Sequence, residues 1–223
     1  MKKLITIYKD KKKHKKNKLI WIIKIKKNKI IIGIDLGIKE YAITYNGKFH
    51  KHYPNFNKNN DLMKIRKDIN EINKKGFFYL DKKEVRLFIK LTKELNELIS
   101  NYIKAIVNDI IKSKPSIIKI EELNIAEMKN YNINNFDNHK FLNKLIDDCH
   151  WDLFRELLED KCKNNNIKLL LVPQYYPSSK RCSNCGSYKK ILLDDRTFRC
   201  ESCGLIIDRD ENASINIRNY NLQ

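Results

Sequence analysis

Residues 30–37 read Ile30-Ile31-Ile32-Gly33-Ile34-Asp35-Leu36-Gly37, an apolar run interrupted by one acid. A strand covered on both faces reads this way. An acid inside such a strand is costly without a partner, so Asp35 calls for a metal, a base or hydrogen bonds. Working outward, residues 40–46 alternate as a second strand and Asn46-Gly47 is a hairpin signal. Residues 48–53 then form a third strand, which makes 29–53 a three-stranded antiparallel meander. Residues 57–76 carry Leu62, Ile65, Ile69 and Ile72 at helical spacing, with Gly76 as the stop. Asp81 caps a second helix that runs to about Lys114, where Pro115 ends it. Its expected apolar stripe is Phe88, Leu91, Leu95, Leu98, Tyr102, Ile106 and Ile110. Such a rod is roughly 45 Å long. The helix pair reads either as a hairpin lying along a nucleic acid or as an ordinary packed pair. Residues 116–122 and 167–172 are predicted strands. Residues 129–139, rich in Asn, are an expected loop, and 140–165 a helix with Phe141, Leu145, Trp151, Phe154, Leu158 and Cys162 inward. Residues 210–220 close the chain as a helix. The order βββ, α, β, α, β, insert, α is an α/β layer sandwich.

The insert holds four of the six cysteines. Cys182-x2-Cys185 and Cys200-x2-Cys203 lie fourteen residues apart, with Gly186 and Gly204 after each pair. Two knuckles of this kind supply four thiolates for a closed, tetrahedral, structural zinc site. Iron would suit the same sulfurs. Cys149 and Cys162 lie outside the pattern and read as core residues. Lys180, Arg181, Lys189, Lys190, Arg196 and Arg199 decorate the insert, as a nucleic-acid contact or a solvated surface.

The chain has 223 residues, with 46 Lys and Arg against 27 Asp and Glu, for a net charge of +19. A surplus of this size points to a polyanion, nucleic acid first. Residues 1–29 hold thirteen Lys and one Asp, so most of the surplus sits in an N-terminal arm. Lysine suits attraction to phosphate more than base reading. No apolar run approaches the length of a membrane span. The run near Ile20–Ile23 is short and lacks a small-residue cleavage site, so export is not expected. Paired cysteines without an export signal suggest a reducing compartment, that is, the cytoplasm or the nucleoid.

The acids fall at the ends of expected elements. Glu121 ends the strand containing Ile117–Ile120, and Asp208 and Asp210 open the last helix, directly after the cysteine insert. Carboxylates gathered from several elements are what Mg²⁺ needs, since it keeps waters that substrate phosphate can replace. Two ions roughly 4 Å apart serve phosphodiester hydrolysis. Singly, each acid has a plainer reading: Asp208 as a helix N-cap, Glu122 as a surface residue.

Residues 32–37 resemble the first motif of a RuvC-type, RNase H-like nuclease, and Ile118-Lys119-Ile120-Glu121-Glu122-Leu123-Asn124 resembles the second. Residues 177–186 are similar to the opening of the zinc ribbon of TnpB. Residues 208–217 resemble the third acidic motif. The ordered set resembles the TnpB (OrfB) family of insertion-sequence proteins, relatives of the type V CRISPR effector nucleases, over about residues 30–220. The resemblance implies an RNase H-like (RuvC-type) mixed sheet flanked by helices, with an inserted four-cysteine zinc ribbon. It implies a nuclease domain of residues 30–176 and 207–223, a ribbon of 177–206, and a basic arm of 1–29 as the remnant of a wedge region. It further implies RNA-guided, Mg²⁺-dependent DNA cleavage with Asp35, Glu121 and Asp210 as catalytic, magnesium-holding acids. The third acid precedes x-Asn-Ala, which selects Asp210 over Asp208. Asp35 and Asp210 would hold the metals, and Glu121 would complete the shell and orient the attacking water. Cys182, Cys185, Cys200 and Cys203 would hold one structural zinc, and Lys180, Arg181, Lys189 and Arg199 would contact nucleic acid. The expected partners are DNA and a guide RNA, with no membrane. Family members carry a longer N-terminal, guide-handling part than 29 residues. A form relying on a larger RNA, a homodimer, and a truncated, cleavage-incompetent binding module all follow as alternatives. The transposase label of the family records association with mobile elements; no Tyr or Ser nucleophile motif for strand joining is present.

Overall fold

The computed structural model describes residues 29–135, 137–192 and 195–221. The basic arm therefore lies, Lys29 excepted, outside the described residues. Strand β1 (Ile31–Leu36) stands at the centre of a five-stranded sheet of order β3-β2-β1-β4-β5. The first three strands form the expected antiparallel meander, with β2 at Glu40–Tyr45 and β3 at His50–Pro54. At its Asn46-Gly47 turn, the Asn46 side chain accepts from the amides of Lys48 and Phe49. Strand β4 (Ile117–Glu121) runs parallel to β1, and β5 (Lys168–Val172) parallel to β4. The sheet is mixed, and its two faces are covered by different helices.

One face carries the main core. Ile32 and Ile34 of β1 and Ile118 and Ile120 of β4 pack there, with Ile103, Phe154 and Leu158 from the helices. Helix α1 (Asn60–Lys74) leads to α2 (Lys82–Lys112), which begins in a capping box between Asp81 and Glu84. Only the C-terminal half of α2 lies under the sheet. It buries Ile99, Ile103, Ile106, Val107 and Ile110, while Leu98 is exposed. Of the expected stripe, Ile106 and Ile110 are buried and Leu95 and Tyr102 pack on the core, while Leu98 does not; Ile99, Ile103 and Val107 widen the buried face beyond it.

Two further elements depart from expectation. Residues 129–139 are not a loop throughout: helix α3 spans Ile125–Asn135. Asn124 accepts from the Glu127 amide at its start, and Asn132 hydrogen-bonds Asn143 on the next helix at 2.9 Å. The asparagines here cap and pair helices instead of breaking them. The helix expected over 140–165 is two, α4 (His139–Asp148) and α5 (Trp151–Asn164). His150 between them is left-handed, φ 49°, which lets both Cys149 and Trp151 reach the core. Phe141 faces outward, whereas Trp151, Phe154, Leu158 and Cys162 are buried as expected.

The opposite face of the sheet takes helix α6 (Arg209–Asn219). Between β5 and α6 lies a small cysteine-bearing unit with strands β6 (Thr197–Arg199) and β7 (Ile206–Asp208). Phe198 fills its centre against Ile191, Leu205 and Ile207. No described helix is long and apolar enough to cross a membrane.

Candidate active site and metal centre

Side chains alternate across a strand, so Ile32 and Ile34 face the core while Gly33 and Asp35 face α6. The same parity on β4 sends Lys119 and Glu121 to the α6 face. Register pairs Ile34 with Ile120, which puts Asp35 and Glu121 at neighbouring positions on adjacent parallel strands. The third acid comes from α6. An added Cβ at Gly33 would lie 2.3 Å from the Ser214 carbonyl oxygen and 2.5 Å from the Arg218 amide nitrogen. Only a glycine lets the helix backbone sit this close to β1. That contact sets the first turn of α6, with Asp210, beside Asp35.

The electrostatics match the geometry. Asp35 keeps some accessible surface. Yet burial of its carboxyl, followed by the charges of Asp210 and Glu121, raises its pKa well above the usual carboxylate range. Burial pushes Glu121 up to about 7, against a hydrogen bond that the Ser178 hydroxyl donates to its Oε2 at 3.3 Å. Asp208 is the N-cap of α6, accepting from the amides of Asp210 and Glu211. Asp210 accepts from Arg209 Nε at 2.9 Å, and Arg196 stands 3.7 Å away. Glu211 turns aside to His52 of β3 at 2.8 Å.

The cysteine unit is built from two knuckles of one design. The Gly186 amide bonds the Cys182 carbonyl and the Gly204 amide the Cys200 carbonyl. Both glycines have positive φ, 79° and 72°. The four sulfurs lie within 4.8 Å of one another, with Cys182–Cys203 and Cys185–Cys200 both 3.6 Å apart. A regular tetrahedron of bonds about 2.3 Å long has edges of about 3.8 Å, so the cluster fits one metal ion such as zinc. The Ser187 hydroxyl sits 3.1 Å from both Cys185 Sγ and Cys200 Sγ, an outer partner for the thiolates. Among the described residues, no carboxylate set draws together as tightly as these sulfurs. Cys182→Ser is expected to remove one equivalent of bound zinc and to expose the Phe198 amide to hydrogen exchange. Unchanged metal content would refute the four-thiolate assignment.

The basic residues of this unit differ in their freedom. Lys180 and Arg199 are exposed. Arg181 lies over the Tyr188 ring at 5.7 Å, and Lys189 pairs with Glu201 at 2.8 Å. Sequence reading assigned no role to Gly33, Ser178, Asn212 or Asn216. The last two were detectable in principle. Helix α6 has only Ile215 and Ile217 as large apolar residues, so most of the face it buries has to be made of small and amide side chains.

The family profile described as "Cas12f1-like, TNB domain" matches residues 151–217, the stretch from α5 through the cysteine unit into α6. A Streptomyces pristinaespiralis protein named "Putative RNA-guided DNA endonuclease" is 26% identical over 188 residues, covering 83% of this chain and 44% of that protein. The chain is related to TnpB and the type V effectors. "TnpB-like protein L79" of Acanthamoeba polyphaga mimivirus is 48% identical over a shorter stretch of 48 residues, 22% of this chain and 9% of that protein. The fold is similar to that in the cryo-EM structure of a CRISPR-Cas12f ternary complex, with TM-score 0.63 at 22% identity. That likeness covers 91% of this chain and 41% of the other. A Cas12f1–sgRNA–target DNA complex gives TM-score 0.58 at 24% identity, over 85% and 50% of the two chains. The chain thus spans half or less of the length of these TnpB and type V relatives.

Proposed function

We propose that this TnpB-related chain carries a RuvC-type, RNase H-like endodeoxyribonuclease site, dependent on Mg²⁺ and directed by a guide RNA. The observation that carries the reading is the meeting of three acids from three elements. Asp35 and Glu121 are side by side on one face of adjacent parallel strands, and Asp210 opens the helix packed on that face. A buried Asp35 carboxyl raised further by the charges of Asp210 and Glu121, beside a Glu121 raised by burial, is an environment that favours a divalent cation. In this reading, residues 30–176 and 207–223 form the nuclease domain and 177–206 the inserted zinc ribbon. Asp35 and Asp210 hold the ions; Glu121, steadied by Ser178, completes the set and orients a water. Bound there, Mg²⁺ supplies Lewis acidity and a water of lowered pKa. Lys180, Arg181, Lys189 and Arg199 give the ribbon a basic surface for the phosphate backbone. The relatives' names and complexes support DNA and guide RNA as partners.

A second reading, binding without cutting, is favoured by one contact. Arg209 already neutralises Asp210 as an ion-pair partner would. Purified protein with its copurified RNA, given Mg²⁺ and labelled DNA, separates the two. Cutting that chelator and Asp35→Ala both abolish is the expected result, and RNase treatment then tests the guide. DNA binding without any Mg²⁺-dependent cutting would favour the second reading.

A further inference from the structure

Two amides on α6 reach across to the first cysteine knuckle. Asn212 and Asn216, four residues apart, are 0% and 5% exposed. Asn212 donates to the Arg181 carbonyl at 2.7 Å and accepts from the Ser183 amide at 2.9 Å, so it straddles Cys182. Asn216 donates to the Ser178 and Arg181 carbonyls at 2.7 and 2.6 Å. Buried amides are retained where all their partners are satisfied, and here the partners are backbone groups of the knuckle and of the short segment leading into it. Each end of this clamp leads to an acid. The helix carrying both asparagines carries Asp210 in its first turn and lies on Gly33, two residues from Asp35. The knuckle segment they grip includes Ser178, whose hydroxyl holds Glu121.

We infer that Asn212 and Asn216 are positioning residues that couple metal loading of the cysteine cluster to the geometry of the three acids. The inference rests on the reading that those acids hold a divalent cation. A knuckle closed around its metal presents the Ser178 and Arg181 carbonyls and the Ser183 amide at fixed places. The asparagines then hold α6, and through it Asp210, against the sheet. An open knuckle leaves those amides without partners and frees both Ser178 and the first turn of α6. Coupling of this kind is reciprocal: whatever zinc does to cation affinity at the acids, the cation does to zinc affinity at the thiolates.

The test uses Mn²⁺ as the probe, followed by its electron paramagnetic resonance signal. The whole protein is compared zinc-loaded and zinc-stripped. Mn²⁺ affinity is expected to fall at least about fivefold on stripping, the lower end of typical coupling. A chelator competition should show zinc affinity rising by the same factor at saturating Mn²⁺. Asn216→Ala and Asn212→Ala, each with one zinc still bound, should weaken Mn²⁺ binding to a similar extent. The two wild-type titrations need no variant and decide the matter should a variant fail to fold. Mn²⁺ affinity indifferent to zinc overturns the coupling and leaves the cation site standing. Mn²⁺ binding that is absent, or that survives Asp35→Asn, overturns the cation site and the coupling with it.

Discussion

Replacing Glu121 by Gln or Asp35 by Asn is expected to stabilise the protein at pH 8 without added divalent cation, and to eliminate Mg²⁺-dependent cutting. Both effects come from one arrangement. Burial raises both carboxyls, and Asp35 also feels Asp210 and Glu121. For an acid whose folded pKa is raised, the folded state holds the proton more tightly than the unfolded chain. Nothing is lost below the unfolded value. Stability falls as pH climbs between the unfolded and folded values, and the whole penalty is present above the folded one. For Glu121 that window runs from 4.5 to about 7. A shift of that size corresponds to roughly 3 kcal/mol, an order-of-magnitude figure. Thermal melts at pH 5 and pH 8 therefore should show the wild type losing stability across the window, and Glu121→Gln losing less, with the Asp35 penalty remaining. Added Mg²⁺ should restore the wild type at pH 8 and leave the variants unmoved. A variant less stable than wild type at pH 8 would mean that the acid is a satisfied structural residue. Stability gained by removing a functional charge is the usual sign that a site is held against its own repulsion.

Gly33→Ala is the second change with a large expected effect. In most strands this substitution is mildly favourable, because alanine has less freedom to lose. Here the new Cβ would meet the Ser214 carbonyl oxygen at 2.3 Å, the Arg218 amide nitrogen at 2.5 Å and Arg218 Cβ at 2.7 Å. None of these is the end of a flexible side chain, so α6 itself has to move. Overpacking of this kind costs about 3 kcal/mol, read as a drop in the urea midpoint. Displacing α6 also carries Asp210 away from Asp35 and pulls Asn212 and Asn216 off the knuckle. Cleavage and zinc retention should therefore suffer together. A variant within about 1 kcal/mol of wild type would show that α6 is not pressed on β1 as described.

Much of the architecture was legible in local pattern. The meander followed from an apolar run, an alternating strand and an Asn-Gly turn, all signals within a few residues of one another. The four sulfurs were legible because Cys-x2-Cys spacing and the glycine after it are constraints of a single knuckle. Less legible were features that depend on which face docks where. The break at Cys149–His150 has no Gly or Pro to mark it; it arises because Cys149 and Trp151 both have to reach one core. The asparagines of α3 read as loop formers, and became caps and cross-helix partners once α4 lay alongside. The α2 stripe was real, but periodicity could not say that only its C-terminal half lies under the sheet.

For the candidate site the division is the same. Asp35 and Glu121 stood out as acids in apolar strands, a local anomaly, whereas Asp210 was selected over Asp208 only by the resemblance to the third acidic motif. Their side-by-side placement is a product of long-range pairing. It needs the parallel register of β1 with β4, strands separated by the whole α1–α2 hairpin, and a helix more than 170 residues from β1 in the chain resting on Gly33. Charge repulsion, the Ser178–Glu121 bond and the asparagine clamp exist only once those elements meet. Residue chemistry and spacing are written along the chain, whereas distances between remote groups are set when burial of two different faces closes the fold.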